Sequence, residues 1–91
     1  MGRLPIDEVG VKAFKDRDWQ PATAMFDRAV RIRNTYPMAH KYLGLIHAEL
    51  DQPVASVHHL ERSLELDDKQ PEAAQMRSLL EVMKQRASER G

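Results

Sequence analysis

Four histidines, at positions 40, 47, 58 and 59, are the side chains best suited to hold a metal or to move a proton near neutral pH. Their spacing argues against both uses. Neighbouring residues on a helix point about 100° apart, so His58 and His59 cannot converge on one ion, and seven residues hold His40 and His47 roughly 10 Å apart along an axis. No pair has the i, i+4 spacing by which one helix offers two imidazoles to one metal. His40 and His47 are expected between helices, and His58 and His59 half exposed. The chain has no cysteine, which excludes thiol nucleophiles, thiolate zinc sites and disulfides together. Ser56 and Ser63 read as substitutes for alanine at a helix contact, each hydroxyl bonding back to a carbonyl one turn earlier, and neither has the pocket that a nucleophile requires. Carboxylates such as Glu61 and Glu65 fall on exposed faces and make no enclosed dyad. The expectation is no catalytic residue, no metal and no cofactor, hence no enzyme.

The elements that carry these residues must be few. With 91 residues, 42% of them apolar and 31% charged, there is room for one small domain with a thin core. Fourteen basic groups balance fourteen acidic ones: 7 and 5 lie in residues 1–37, 7 and 9 in residues 38–91. That is too even for an electrostatic footprint on nucleic acid. Arg28, Arg31 and Arg33, with Lys12, Lys15 and Arg17 nearby, read as a solvated face, since aromatic stacking residues are scarce. Charges from Arg3 to Asp18 interrupt any apolar leader, and apolar runs elsewhere are only a few residues long. A cytoplasmic protein with neither membrane nor nucleic-acid partner is expected.

Prolines at 5, 21, 37, 53 and 71 are separated by 16, 16, 16 and 18 residues. Proline suits the first turn of a helix, because its φ is already helical and its missing N–H would have no partner there. Five helices follow, over about 5–16, 20–33, 37–50, 53–67 and 71–88. The apolar periods agree: Ile6, Val9, Ala13 and Phe14, then Ala22, Met25, Phe26, Ala29 and Val30, recur at helical spacing. Connections this short make consecutive helices antiparallel neighbours.

The interior glycines, Gly10 and Gly44, are 34 residues apart. The same offset carries Val9 to Leu43, Ala22 to Ser56, Phe26 to Leu60, Ala29 to Ser63 and Pro37 to Pro71, so small maps onto small and bulky onto bulky. A glycine inside a helix costs about 1 kcal/mol against alanine, and close approach of a second helix is the compensating reason. With this period the chain resembles the tetratricopeptide repeat family. The stretch from Asp51 to Ala73 is similar to that family's second helix running into the next repeat, and Arg17-Asp-Trp-Gln-Pro-Ala22 is similar to its inter-helix turn. Departures are His47 and Ala13 where an aromatic is usual, Ser56 and Ser63 where alanine is usual, and no tryptophan near each repeat start. The resemblance implies an all-α, antiparallel helix-hairpin solenoid: one repeat over residues 3–36, a second over 37–70 and a C-terminal capping helix over 71–88.

Terminal faces of such a stack are polar. Helix one offers Lys12 and Asp16 where helix three has Ile46 and Leu50. Helix five offers Arg77, Ser78 and Glu81 where helices one and three present Ile6, Val9, Gly10 and Leu43, Gly44, His47. A self-contained module is the expectation.

First helices of such stacks line a concave surface that the family generally uses to hold a partner's peptide or helix. By that resemblance the inward positions of helix one are Leu4, Asp7, Glu8, Val11, Phe14 and Lys15. Helix three gives Met38, Lys41, Tyr42, Leu45, Ala48 and Glu49, and helix five gives Gln75, Met76, Leu79, Val82 and Met83. Val11, Leu45 and Leu79, again 34 apart, make an apolar ridge of the kind that something usually covers. Two arrangements are open: a trough that receives an amphipathic helix or an apolar peptide, or a fifth helix folded down so that these residues are core. A family subtype that clamps acidic C-termini is disfavoured, because Asp7, Val11, Glu72 and Met76 occupy its clamp positions. The expected role is a protein-interaction adaptor; the second reading is a homodimer formed through the same ridge and helix five.

Overall fold

A computed structural model describes residues 5–90, with side chains from Glu8 onward; the side chains of Leu4, Ile6 and Asp7 lie outside the described residues. Five helices follow in order: α1 Pro5–Lys15, α2 Trp19–Ile32, α3 Pro37–Glu49, α4 Pro53–Leu66 and α5 Ala73–Arg90. No strand occurs among the described residues, so the chain is all-α. Pro5, Pro37 and Pro53 each open their helix. Pro21 is the third residue of α2, just before Ala22, whose N–H donates the first helical bond to the Asp18 carbonyl at 3.2 Å. Four of the five prolines thus stand where no N–H is wanted.

Pro71 departs from this pattern. Residues 71–72 form a turn, and α5 starts two residues later, its first helical bond running from the Met76 N–H to the Glu72 carbonyl. The cause is local: the Gln70 amide donates to the carbonyls of Ser63 and Asp67 and ties this stretch back to the end of α4.

Both hairpins turn in the same way. Arg17 and Asp51, 34 residues apart, have φ of 60° and 57°, the only positive values on non-glycine residues among those described. Each follows a helix end at which two N–H groups fold back onto carbonyls of the last turn: Arg17 to Phe14 and Asp18 to Ala13 after α1, Asp51 to Ala48 and Gln52 to His47 after α3. This left-handed cap usually recruits glycine.

Helices pack chiefly on their sequence neighbours, and α1 touches α3 lightly. Helices approach closely at the glycines. A Cβ on Gly10 would stand 2.8 Å from Phe26 Cζ, and one on Gly44 2.7 Å from Leu60 Cγ. Positions 10 and 44 therefore face positions 26 and 60 alike, and the internal repeat is present in the packing as well as in the sequence.

Ser56 and Ser63 are fully buried, but their hydroxyls do not bond back along α4 as expected. Ser56 Oγ donates to the Gly44 carbonyl and Ser63 Oγ to the Pro37 carbonyl, each at 2.8 Å. Where the helices are this close, the facing carbonyl is nearer to hand. The pairs 37 with 63 and 44 with 56 define an antiparallel register for α3 and α4. Arg77 bonded to the Asp68 carbonyl and Arg90 to Asp51 do the same for α4 and α5.

The core lies in two clusters: Ala22, Phe26, Ala29, Tyr36, Ala39, Leu43 and Ile46 between α2 and α3, and Leu60, Met76 and Leu80 between α4 and α5. Leu43 is fully buried there, whereas its equivalent Val9 is 57% exposed. Position 9/43 faces the preceding hairpin, and among the described residues α1 has none. Lys12 and Asp16 form an exposed pair at 3.0 Å, and Arg77, Ser78 and Glu81 are exposed on α5.

Candidate functional site

α5 packs on α4 and leaves a cleft toward α3. Two adjoining recesses occupy it, of about 260 and 370 Å³, and both are lined by Phe14 from α1, Leu45 from α3 and Leu79 from α5. The first continues along Ala48, Glu49, Val82, Met83 and Arg86. The second continues along Lys41, Tyr42, Glu72, Gln75 and Met76.

The floor is held by aromatic contacts. Tyr42 stacks on the buried Phe26 with ring centres 4.9 Å apart and interplanar angle 7°, while Phe14 meets Tyr42 edge-on at 4.9 Å and Trp19 at 5.5 Å. Edge-on and stacked contacts at these distances are the arrangements that aromatic rings favour. At one end Lys41 spans from α3 to Glu72 at 2.8 Å, with its ammonium 4.9 Å from the Tyr42 ring centre. The hydrogen bond and charge of Lys41 hold Glu72 below the usual carboxylate range. At the other end Arg17 meets Glu49 at 3.5 Å, and Arg86 approaches Asp51 at 3.8 Å.

Eleven of the expected residues come together here: Phe14, Lys41, Tyr42, Leu45, Ala48, Glu49, Gln75, Met76, Leu79, Val82 and Met83. Glu8, Val11, Lys15 and Met38 do not. Val11 and Lys15 line a separate charged hollow with Glu8, Lys12 and Asp16, so the apolar ridge enters α1 at Phe14 instead of Val11. Met38 packs on the α2–α3 core, its sulfur 3.7 Å from the Tyr36 hydroxyl. The choice between trough and core resolves residue by residue: Met76 and Met83 are each only 2% exposed and close the floor, while Leu45 and Leu79 are half-buried and reach the surface. Arg86 was absent from the expected set, although Leu79, Val82, Met83 and Arg86 follow one helical face at i, i+3, i+4 and i+7.

The four histidines, set apart by their spacing within single helices, meet across the α3–α4 contact. His40 is 3% exposed. Its Nε2 lies 2.8 Å from the Asn34 carbonyl and must donate to it, which leaves Nδ1 as the acceptor of the proton on His59 Nδ1, 3.1 Å away. His47 stacks on His59 at 5.6 Å and 7°, and His58 meets it edge-on at 5.0 Å. Burial, then the charges of His40, His58 and His47, pushes His59 down to about 4. Burial likewise lowers His40, against the pull of its bond to the Asn34 carbonyl. His47, expected between helices, is half-buried against His59, its Nδ1 donating to the Gln52 side-chain oxygen at 2.6 Å. The register that pairs 44 with 56 also brings 40 beside 59, a signal that spacing along one helix cannot carry. Among the described residues, no three histidine or carboxylate groups are placed to hold a metal ion.

No helix is long and apolar enough to cross a membrane among the described residues. Compared with known proteins, the chain matches no family model, no curated protein and no solved structure.

Proposed function

We propose that this chain is a small tetratricopeptide-like adaptor, without catalytic role or cofactor, whose α1–α3–α5 cleft holds an amphipathic helix of a partner protein. One observation carries the reading: two recesses in tandem share the apolar floor of Phe14, Leu45 and Leu79. On α3 one recess is lined by Lys41 and Tyr42 and the other by Ala48 and Glu49, pairs seven residues or roughly 10 Å apart along the helix. Two apolar side chains at i and i+7 of a bound helix have that same separation. The ends are polar and already paired, Lys41 with Glu72 and Arg17 with Glu49, which supports an apolar ligand over the clamping of an acidic C-terminus. A site this small gives modest affinity, on the order of micromolar, unless avidity adds to it.

Co-purification followed by mass spectrometry identifies the partner, and Leu45→Arg tests the site. Capture should fall at least tenfold while helicity is kept, and capture at the wild-type level would dismiss the cleft. The competing occupant is a second copy of the chain. Light scattering at tens of micromolar distinguishes the two, since a dimer broken by Leu79→Glu would replace the adaptor reading.

A further inference from the structure

All four histidines of the chain gather around one ring, that of His59, at the seam between α3 and α4. Gathering of this kind matters because imidazole is the one side chain whose charge ordinarily changes between about pH 5 and 8. In the neutral state the seam is consistent throughout: His59 donates to His40, and His40 donates to the Asn34 carbonyl. A second proton on His40 can go only to Nδ1, the atom that accepts from His59; neutral His59 can take the acceptor role by carrying its own proton on Nε2, but once both rings are protonated two donors face each other across 3.1 Å.

We propose that this cluster is an acid-sensitive latch: the hairpin of α3 and α4 is held while the His40–His59 pair is neutral and loosened once both rings carry protons.

The surrounding charges do not offset such protonation. From α4 the seam is faced by His58 and by the Arg62 guanidinium, which opposes a proton on His40, and from α3 by His47. On the α5 side Arg90 and Asp51 border the hollow beside His58 and His59, but that carboxylate is already engaged by Arg86 and Arg90. From α2, Asp27 lines only the hollow next to His47. The lowered proton affinities of His40 and His59 agree with this geometry. The same seam contains Gly44, Ser56 and Leu60, where a Cβ on Gly44 would stand 2.7 Å from Leu60 Cγ, so repulsion there acts where the packing has little slack.

The sign is set by linkage. A histidine whose folded-state affinity for protons is depressed favours folding while neutral, and that contribution is lost as the pH falls from its unfolded value toward its folded one. For His59 the window runs from 6.5 down to about 4. Two measurements on the full chain test the latch. In an imidazole NMR titration of the folded wild type, His40 and His59 should titrate together and below the ordinary histidine range; four independent midpoints near 6.5 would overturn the proposal. In urea unfolding between about pH 7 and 4.5, the wild-type unfolding constant should rise at least about tenfold more than that of His59→Asn, which keeps a donor near the Nδ1 position but cannot take a proton. Parallel pH curves for the two proteins would equally overturn it. Should His59→Asn fail to fold, the wild-type titration alone decides.

Discussion

Replacing Gly44 by alanine sets two known effects against each other. In an unobstructed helix interior the change stabilises by about 1 kcal/mol, because alanine restricts the unfolded chain and glycine does not. Here the added Cβ would stand 2.7 Å from Leu60 Cγ, 2.8 Å from Cδ2 and 3.2 Å from the Leu60 backbone nitrogen, against about 3.5–4.0 Å for a relaxed carbon contact. Leu60 is fully buried, and its backbone nitrogen cannot swing aside as a side-chain tip can. The helices must part by several tenths of an ångström, which stretches the 2.8 Å bonds from Ser56 to the Gly44 carbonyl and from Ser63 to the Pro37 carbonyl. Overpacking of this kind costs about 1–3 kcal/mol. Set against the propensity gain, the net loss is up to about 2 kcal/mol, or up to roughly 15 °C in Tm for a domain of this size. Gly10→Ala is the internal comparison. Its new Cβ meets only the tip of the Phe26 ring, at 2.8, 3.0 and 3.2 Å, with no backbone atom among the three nearest. It should lose less than Gly44→Ala. Thermal melts followed by far-UV circular dichroism read both. A Gly44→Ala protein melting at or above the wild type would refute the reasoning that close helix approach is what keeps glycine there.

Arg17→Gly should raise Tm by a few degrees, because a non-glycine residue in the left-handed region costs about 1–2 kcal/mol and glycine returns under 1 of it to the unfolded chain; its exposed contact with Glu49 contributes little. Ser56→Ala should cost about 1 kcal/mol or less, since the Gly44 carbonyl loses a neutral hydrogen bond, whereas Ser56→Leu should cost several kcal/mol by driving α3 and α4 apart, and equal melting of the two would contradict the register. Lys41→Met should flatten the acid limb of the stability curve. Glu72, held low by Lys41, supports folding above its unfolded value and loses that support as the pH falls through its folded one, so wild type and variant should converge in strong acid.

Much of the fold was legible because it is written in short-range and periodic signals. Prolines marked four of five helix starts, and Pro71 failed only because Gln70, reaching back to Ser63, extends the preceding turn by two residues. The 34-residue offset identified the glycine contacts, since equivalent residues in equivalent hairpins meet equivalent neighbours. It misled at Val9, because burial of that position depends on a preceding hairpin, and sequence equivalence does not supply one. Most of the cleft followed from the same offset, but Val11 and Met38 were misplaced, since the tilt between hairpins decides which neighbouring side chain of a helix reaches the trough and which the core.

Composition and period by themselves determined an all-α chain of five helices with small residues at its contacts, because helix propensity, proline stereochemistry and apolar spacing are properties of neighbouring residues. Tertiary structure alone decided that Ser56 and Ser63 bond across helices, that Met76 and Met83 close the floor under Leu45 and Leu79, and that four histidines spread over twenty residues share one seam. Those outcomes depend on the register between helices, which arises from how whole faces fit and which no local spacing encodes.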